Sequence, residues 1–283
     1  MKYLITGASG QLGYDIVREL KERGENDYLD PTPEEMDITN RMLVNKVIDQ
    51  YKPDVIFHCA AYTAVDKAEN EKDICYDINV NGTKNIVDAA KKNKAKVVYI
   101  STDYVFDGTK DGEYVPEDKT CPINYYGYTK LCGEEEVCKL DDFLIVRISW
   151  VFGINGKNFI KTMINLGKTK KELSVVSDQV GSPTYTYDLS KLLLDMILNK
   201  KKGIYHATNE GYCSWYEFAK YIFKINNIDI CLNRVGTKDY VTTAKRPLNS
   251  KLNKDKLDEK GLYRLPSWKD ATRRYCKKLE RND

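Results

Sequence analysis

A tyrosine and a lysine stand four residues apart in the stretch Tyr126-Gly127-Tyr128-Thr129-Lys130. On a helix that spacing sends both side chains from one face, and the following Leu131-Cys132-Gly133-Glu134-Glu135-Glu136-Val137 reads as helix. An ammonium beside a phenol favours the phenolate. It is expected to draw the Tyr126 pKa down from about 10 toward the working pH, so that the phenol can give and take a proton. Such a pair is also ordinary helix surface, so the chain before it must supply the rest of a site.

Two earlier stretches do so. Val97-Val98-Tyr99-Ile100 predicts a strand that ends in Ser101-Thr102-Asp103. A hydroxyl there can hydrogen-bond a substrate oxygen about 3 Å away. At the start of the chain, Tyr3-Leu4-Ile5-Thr6 predicts a buried strand, and Leu12, Ile16, Val17 and Leu20 give helical spacing. Between them lie Gly7, Gly10 and Gly13. Small residues let the backbone approach a pyrophosphate, and a helix N-terminus supplies free N–H groups and a positive dipole end. The spacing is G-x-x-G-x-x-G, not G-x-G-x-x-G.

The elements that hold these groups alternate. A strand over 26–29 ends in Asp30, seventeen residues after Gly13, where a carboxylate can accept from a ribose hydroxyl or stand as a solvated loop residue before Pro31 and Pro33. Thr39 or Asn40 can cap a helix through Leu43, Val44, Val47 and Ile48. Val55-Ile56-Phe57-His58-Cys59 is an apolar strand suited to a central parallel sheet, with His58 read as a core histidine. Ala60, Ala61 and Tyr62 follow at its C-terminal end, where open α/β sheets bind ligands. A long helix is expected over 73–93, with Asn79 and Asn81 as polar face or cofactor-side contacts. Another strand is expected over 143–148. Five strands alternating with helices over about 150 residues predict an α/β fold with a Rossmann-type doubly wound parallel sheet. The expected division is 1–153 for the dinucleotide and 154–283 mainly for substrate, in a smaller α/β domain. Segments near 184–207 and 243–255 are expected to pack back on the first part.

Composition narrows the function. A net charge of +3 over 283 residues demands neither nucleic acid nor a membrane surface. No apolar run approaches the ~18 residues of a span, and the chain opens directly on a strand pattern rather than a leader. Eight cysteines without a C-x-x-C pair read as reduced thiols of a cytoplasmic protein. With only His58 and His206, no metal site is expected.

Several stretches together resemble one family. They are Thr6-Gly7-Ala8-Ser9-Gly10-Gln11-Leu12-Gly13, Cys59-Ala60-Ala61-Tyr62-Thr63-Ala64-Val65-Asp66-Lys67-Ala68-Glu69, and Ser101-Thr102-Asp103-Tyr104-Val105-Phe106-Asp107-Gly108, with the Tyr126 to Lys130 stretch. Arg147-Ile148-Ser149-Trp150-Val151-Phe152-Gly153, Asp178-Gln179-Val180-Gly181-Ser182-Pro183-Thr184 and Arg246-Pro247-Leu248-Asn249-Ser250 complete the set. The sequence resembles the extended short-chain dehydrogenase/reductases, and within them the dTDP-4-dehydrorhamnose reductases, from Met1 to about Trp268. The resemblance implies reduction of the C4 keto group of a dTDP-sugar with NADPH or NADH. It implies Tyr126 as general acid, Lys130 holding the nicotinamide ribose and tuning Tyr126, and Thr102 on the keto oxygen. Asp103 and Trp150 would contact the sugar. Gly10, Gln11 and Leu12 would lie against the pyrophosphate, Asp30 near the adenine ribose, Asp37 and Ile38 near the adenine, and Ala61, Tyr62 and Thr63 on the nicotinamide side. A carboxylate at Asp30 would repel a 2′-phosphate and favour NADH, while lysines and arginines elsewhere could accommodate one. A monomer or homodimer is expected. Other nucleotide-sugar reductases or epimerases share the logic of the first half, and a regulatory subunit of methionine adenosyltransferase shares the dinucleotide fold.

Overall fold

The structure, a computed structural model, describes residues 1–282. The chain begins with β1 (Tyr3–Thr6), α1 (Gln11–Glu22), β2 (Tyr28–Leu29), α2 (Arg41–Tyr51) and β3 (Val55–His58). Next come α3 (Val65–Ala68), α4 (Lys72–Tyr76), a π-helical segment (Asp77–Gly82) and α5 (Thr83–Asn93), then β4 (Lys96–Thr102), α6 (Tyr125–Val137) and β5 (Phe143–Ile148). The second half adds β6 (Val151–Phe152), α7 (Phe159–Thr169), β7 (Glu172–Val176), β8 (Val180–Gly181), β9 (Thr184–Tyr185), α8 (Thr186–Leu198) and β10 (Gly203–His206). It closes with β11 (Asn209–Glu210), β12 (Cys213–Ser214), α9 (Trp215–Ile225), β13 (Cys231–Val235), β14 (Asn249–Ser250), α10 (Asp255–Glu259), β15 (Leu265–Ser267) and α11 (Trp268–Asn282).

Six strands form one parallel sheet in the order β2-β1-β3-β4-β5-β10. The strand centres are apolar because helices cover both faces, with polar residues such as Thr6, Lys96, Thr102 and Arg147 toward the ends. On one face α1 and α8 place Ile16, Leu20, Leu189, Leu192 and Leu193 against Ile5, Phe57 and Val146. On the other, α2, α5 and α6 place Val44, Ile48, Ile86, Val87 and Val137 against Leu4, Ile56 and Tyr99. Each fully buried aliphatic side chain of this kind contributes about 1.5–3 kcal/mol of transfer free energy. α8 and β10 thus complete the layers begun by the first 150 residues. A second core gathers Phe152, Ile160, Phe218, Ile222, Trp268 and Tyr275 from β6, α7, α9 and α11.

The sheet runs outward from β1 to β2, then resumes on the other side of β1 with β3. That reversal opens a crevice at the C-terminal ends of β1 and β3, where open α/β sheets take their ligands. The two strand ends touch there. Gly7 has φ +68°, and a Cβ on it would meet the Ala60 backbone nitrogen at 2.7 Å. Only glycine fits that approach and that backbone angle.

Three expectations are refined. The strand over 26–29 is ordered as strand only at Tyr28–Leu29. The helix over 73–93 is interrupted by the π segment, whose Asn79 turns inward. The turn-rich stretch at 177–184 carries β8 and the start of β9. Asn40 caps α2, accepting from the Met42 and Leu43 amides.

Candidate active site

One cavity of about 710 Å³ lies along the C-terminal ends of the sheet strands. That is room for a ligand much larger than a single sugar. Gly7, Gly10, Gln11 and Leu12 line one stretch, and Asp30, Asp37 and Ile38 another. Ala60, Ala61 and Thr63 line the β3 end, and Thr102, Asp103, Tyr126, Lys130 and Trp150 converge beyond it. Two expected site residues stand apart from the lining. Gly13 packs beneath the glycine turn, where a Cβ would sit 2.4 Å from the Gly7 carbonyl oxygen. The Tyr62 phenol turns to Glu71 and donates to it at 2.5 Å, while its backbone N–H and C=O are both held by the Asn79 side chain (2.8 and 3.1 Å).

The glycine turn suits a phosphate. α1 begins at Gly10 with no side chain capping its first amides and no acidic residue in its first turn. Those amides and the helix dipole are therefore available to an anion. The Gln11 side chain is engaged elsewhere, accepting from the Gly153 and Asn158 nitrogens (2.8 and 3.1 Å). At the other end of the cleft, Asp30 is exposed, whereas the Asp37 carboxylate is taken up locally by the Thr39 amide and hydroxyl.

The reacting end is positioned by β4 and α6. Asn124 caps α6 by accepting from the Gly127 amide at 2.8 Å, and its own amide donates to the Lys245 carbonyl at 2.8 Å. Gly127 rests on the turn after β4, where a Cβ would lie 2.2 Å from the Tyr104 carbonyl oxygen. This contact sets Tyr126 beside Thr102. The Tyr104 ring meets the Tyr126 ring edge-on, at 6.0 Å and 79°. The Thr102 hydroxyl donates to Asp103 Oδ1 at 3.0 Å. Asp103 Oδ2 is buried with no hydrogen bond of normal geometry.

The electrostatics correct one expectation. Lys130 does not draw the Tyr126 phenol down. Burial raises the Tyr126 pKa, the Asp103 carboxylate raises it further, and the neighbouring Thr102 hydroxyl opposes the shift. Lys130 itself is lowered to about 7 by burial, with Glu134 pulling the other way. Its ammonium sits 3.9 Å from the Tyr99 ring centroid rather than on a carboxylate. Spacing put the pair on one face, but desolvation penalises both charged forms. The result is a neutral phenol, which is the form an acid needs. Burial also lifts Asp103, to about 6, against the nearby Ser250 and Thr102 hydroxyls.

Sequence reading offers Asn79 as a helix-face or cofactor-side residue without its direction, and it does not offer Trp215 at all. The π turn aims Asn79 at Tyr62 and at the Thr129 hydroxyl (3.0 Å). Trp215 opens α9 inside a Ser214/Glu217 capping box and reaches the cavity from the second half. The capping box was legible, but the direction of the helix start was not.

Comparison with known proteins agrees with this geometry. The family model described as RmlD substrate binding domain matches residues 1–281. A dTDP-4-dehydrorhamnose reductase of Aggregatibacter actinomycetemcomitans is 40% identical, covering 95% of this chain and 96% of its own. The chain belongs to the dTDP-4-dehydrorhamnose reductase family. Among solved members of that family, the Clostridium acetobutylicum enzyme superposes with a TM-score of 0.96 at 44% identity, covering 99% of this chain and 100% of the other. The Bacillus anthracis enzyme, crystallised in complex with NADP, gives 0.95 at 43% identity, covering 98% and 100%. The family match runs past Trp268 to include most of α11, whose Ala271 and Tyr275 are buried in the second core.

Proposed function

We propose that this protein reduces the C4 keto group of dTDP-4-dehydro-β-L-rhamnose to give dTDP-β-L-rhamnose, the last step of dTDP-L-rhamnose synthesis, using NADPH or NADH. The observation that carries the reading is the convergence of a neutral, half-buried phenol, a partnering hydroxyl and a buried lysine on a cavity that begins at an uncapped helix N-terminus. The uncapped amides of α1 would hold the pyrophosphate, Asp30 the adenine ribose and Lys130 the nicotinamide ribose. The bound dinucleotide supplies the hydride for C4. Tyr126 gives its phenolic proton to the C4 oxygen as negative charge develops there, and the Thr102 hydroxyl would turn its one proton from Asp103 Oδ1 to that oxygen to steady it. Asp103 Oδ2 and Trp150 would orient the sugar. Lys130, buried over the Tyr99 ring and lining the same cavity, would serve the bound dinucleotide rather than shift the phenol.

The reading puts the reaction in the cytoplasm; eight free cysteines are in keeping with it, and no helix among the described residues is long and apolar enough to cross a membrane. It would act on this small dTDP-sugar as a monomer or homodimer.

The test is a coupled assay with dTDP-glucose, the preceding dehydratase and epimerase, this protein and NADPH or NADH, with the product identified. dTDP-β-L-rhamnose is expected. Turnover confined to a different 4-keto nucleotide sugar, or none with any, overturns the assignment. Tyr126→Phe should lower turnover by about 10²–10⁴-fold while cofactor binding persists. Near-full activity in that variant removes the phenol from the mechanism.

A further inference from the structure

Trp150 stands in an unusual backbone state. Its φ is +49°, a left-handed conformation that a bulky residue adopts only when its surroundings impose it. The surroundings are specific. The Trp150 carbonyl accepts from the Thr184 amide at 3.1 Å, and the preceding Ser149 is tied to 182–184 through its hydroxyl and its carbonyl (2.7 and 2.6 Å). Gly181 backs the indole, where a Cβ would come within 2.9 Å of Trp150 Cε2. Trp215 lies flat on Trp150, with ring centroids 3.7 Å apart and planes 13° apart. Trp215 in turn leans on Phe159 at 4.6 Å. Its backbone is fixed by the reciprocal Ser214/Glu217 cap at the start of α9. Both indoles line the cavity that holds Tyr126 and Lys130.

A single flat ring at a strained turn has freedom to swing. A second ring stacked on it, anchored from a different element, removes that freedom. We propose that Trp215 is a positioning residue for substrate: it fixes the Trp150 indole and thereby the sugar end of the nucleotide sugar, without a part in cofactor binding. Trp215 belongs to α9 and packs on the second core, whereas the glycine turn and Asp30 follow strands β1 and β2 of the main sheet. Loss of the stack therefore loosens the sugar site alone. The proposal rests on the ketoreductase reading above.

The experiment compares wild type with Trp215→Leu, which keeps apolar bulk but no flat face, and Trp215→Phe, which keeps a ring. Steady-state constants are measured for the 4-keto sugar nucleotide and for the nicotinamide cofactor, with thermal melting beside them. Trp215→Leu is expected to raise the sugar-nucleotide KM about tenfold, the factor equivalent to about 1.4 kcal/mol. The cofactor KM should stay as in wild type, and Trp215→Phe should recover most of the loss. The inference is overturned by a wild-type sugar-nucleotide KM in Trp215→Leu. It is equally overturned if both KM values rise together with a lowered melting temperature, since that marks a general packing role. Failure of the wild type to turn over the ketosugar sinks the ketoreductase reading and this one with it. Normal wild-type turnover beside an unchanged Trp215→Leu sinks the positioning role alone.

Discussion

Replacing Gly127 with alanine tests how the acid is placed. At an ordinary helix position that change adds about 1 kcal/mol of stability, because glycine is the poorer helix former. Here the new methyl would sit 2.2 Å from the Tyr104 carbonyl oxygen, while real Cβ contacts do not fall under 3.0 Å. The opposing atom is backbone, so it cannot rotate away. α6 must lift from the turn after β4 by about 0.8 Å, the difference between those two distances. Tyr126 rides on α6 and Thr102 ends β4, so the lift opens the gap between proton donor and hydroxyl. A displacement of about 1 Å can cost about 10²-fold in rate, and overpacking of this kind costs about 1–3 kcal/mol in stability. The assay is ketosugar reduction with saturating cofactor, beside cofactor titration and thermal melting. We expect turnover down by roughly 30- to 100-fold, cofactor affinity within about twofold and a melting temperature lower by several degrees. A Gly127→Ala protein as active as wild type and more stable would show that the α6–β4 contact does not set the acid, and the argument from close approach would fail.

Two further outcomes follow from the site's charges. Asp103 is held at about 6 by burial, so its carboxylate form is lost as pH falls through that value. kcat/KM should decline on the acid side with a midpoint near 6, and Asp103→Asn should abolish that limb; an unchanged limb in the variant would assign it to another group. At the adenosine end, the lining residues from Asp30 to Ile38 include no lysine or arginine, and Glu34, Glu35 and Asp37 add negative charge to the same loop. kcat/KM for NADH should exceed that for NADPH by about tenfold, the scale of one near-surface charge repulsion, and Asp30→Ala should narrow the gap; an unaltered ratio removes Asp30 as the cause.

The sequence made the sheet legible because strands buried on both faces are written as apolar runs. Tyr3 to Thr6, Val55 to His58 and Val97 to Ile100 could hardly be anything else once helical stretches lay between them. The π turn was not legible, because one extra residue in a helix shifts the apolar pattern too little to register, yet that turn aims Asn79 at the Tyr62 backbone. Nor were the two-residue strands β8 and β9, which have no periodicity to read. Spacing identified Tyr126 and Lys130 as a pair. It could not report that both are desolvated, and so it had the direction of the phenol's shift reversed. Trp215 was hidden for a similar reason: Ser214 and Glu217 mark where α9 starts, but only tertiary packing decides that its first side chain meets Trp150.

The return of α8 and β10 to the main sheet has a consequence for synthesis. β10 pairs with β5 residue by residue, Gly203 opposite Leu144 through His206 opposite Arg147. α8 covers the apolar side of α1, and Thr186 is hydrogen-bonded to Asp15. A nascent chain that has released β5 therefore waits for its own edge strand. At about 5–20 residues per second, the roughly sixty residues between Ile148 and His206 take ~3–12 s to emerge. Through that interval Leu144, Ile145 and Val146 present an unpaired edge, and Leu12, Ile16 and Leu20 lack their covering helix. The ribosome thus holds an adhesive intermediate whose protection is encoded downstream, and a gene truncated after codon 153 would express that intermediate as its final product.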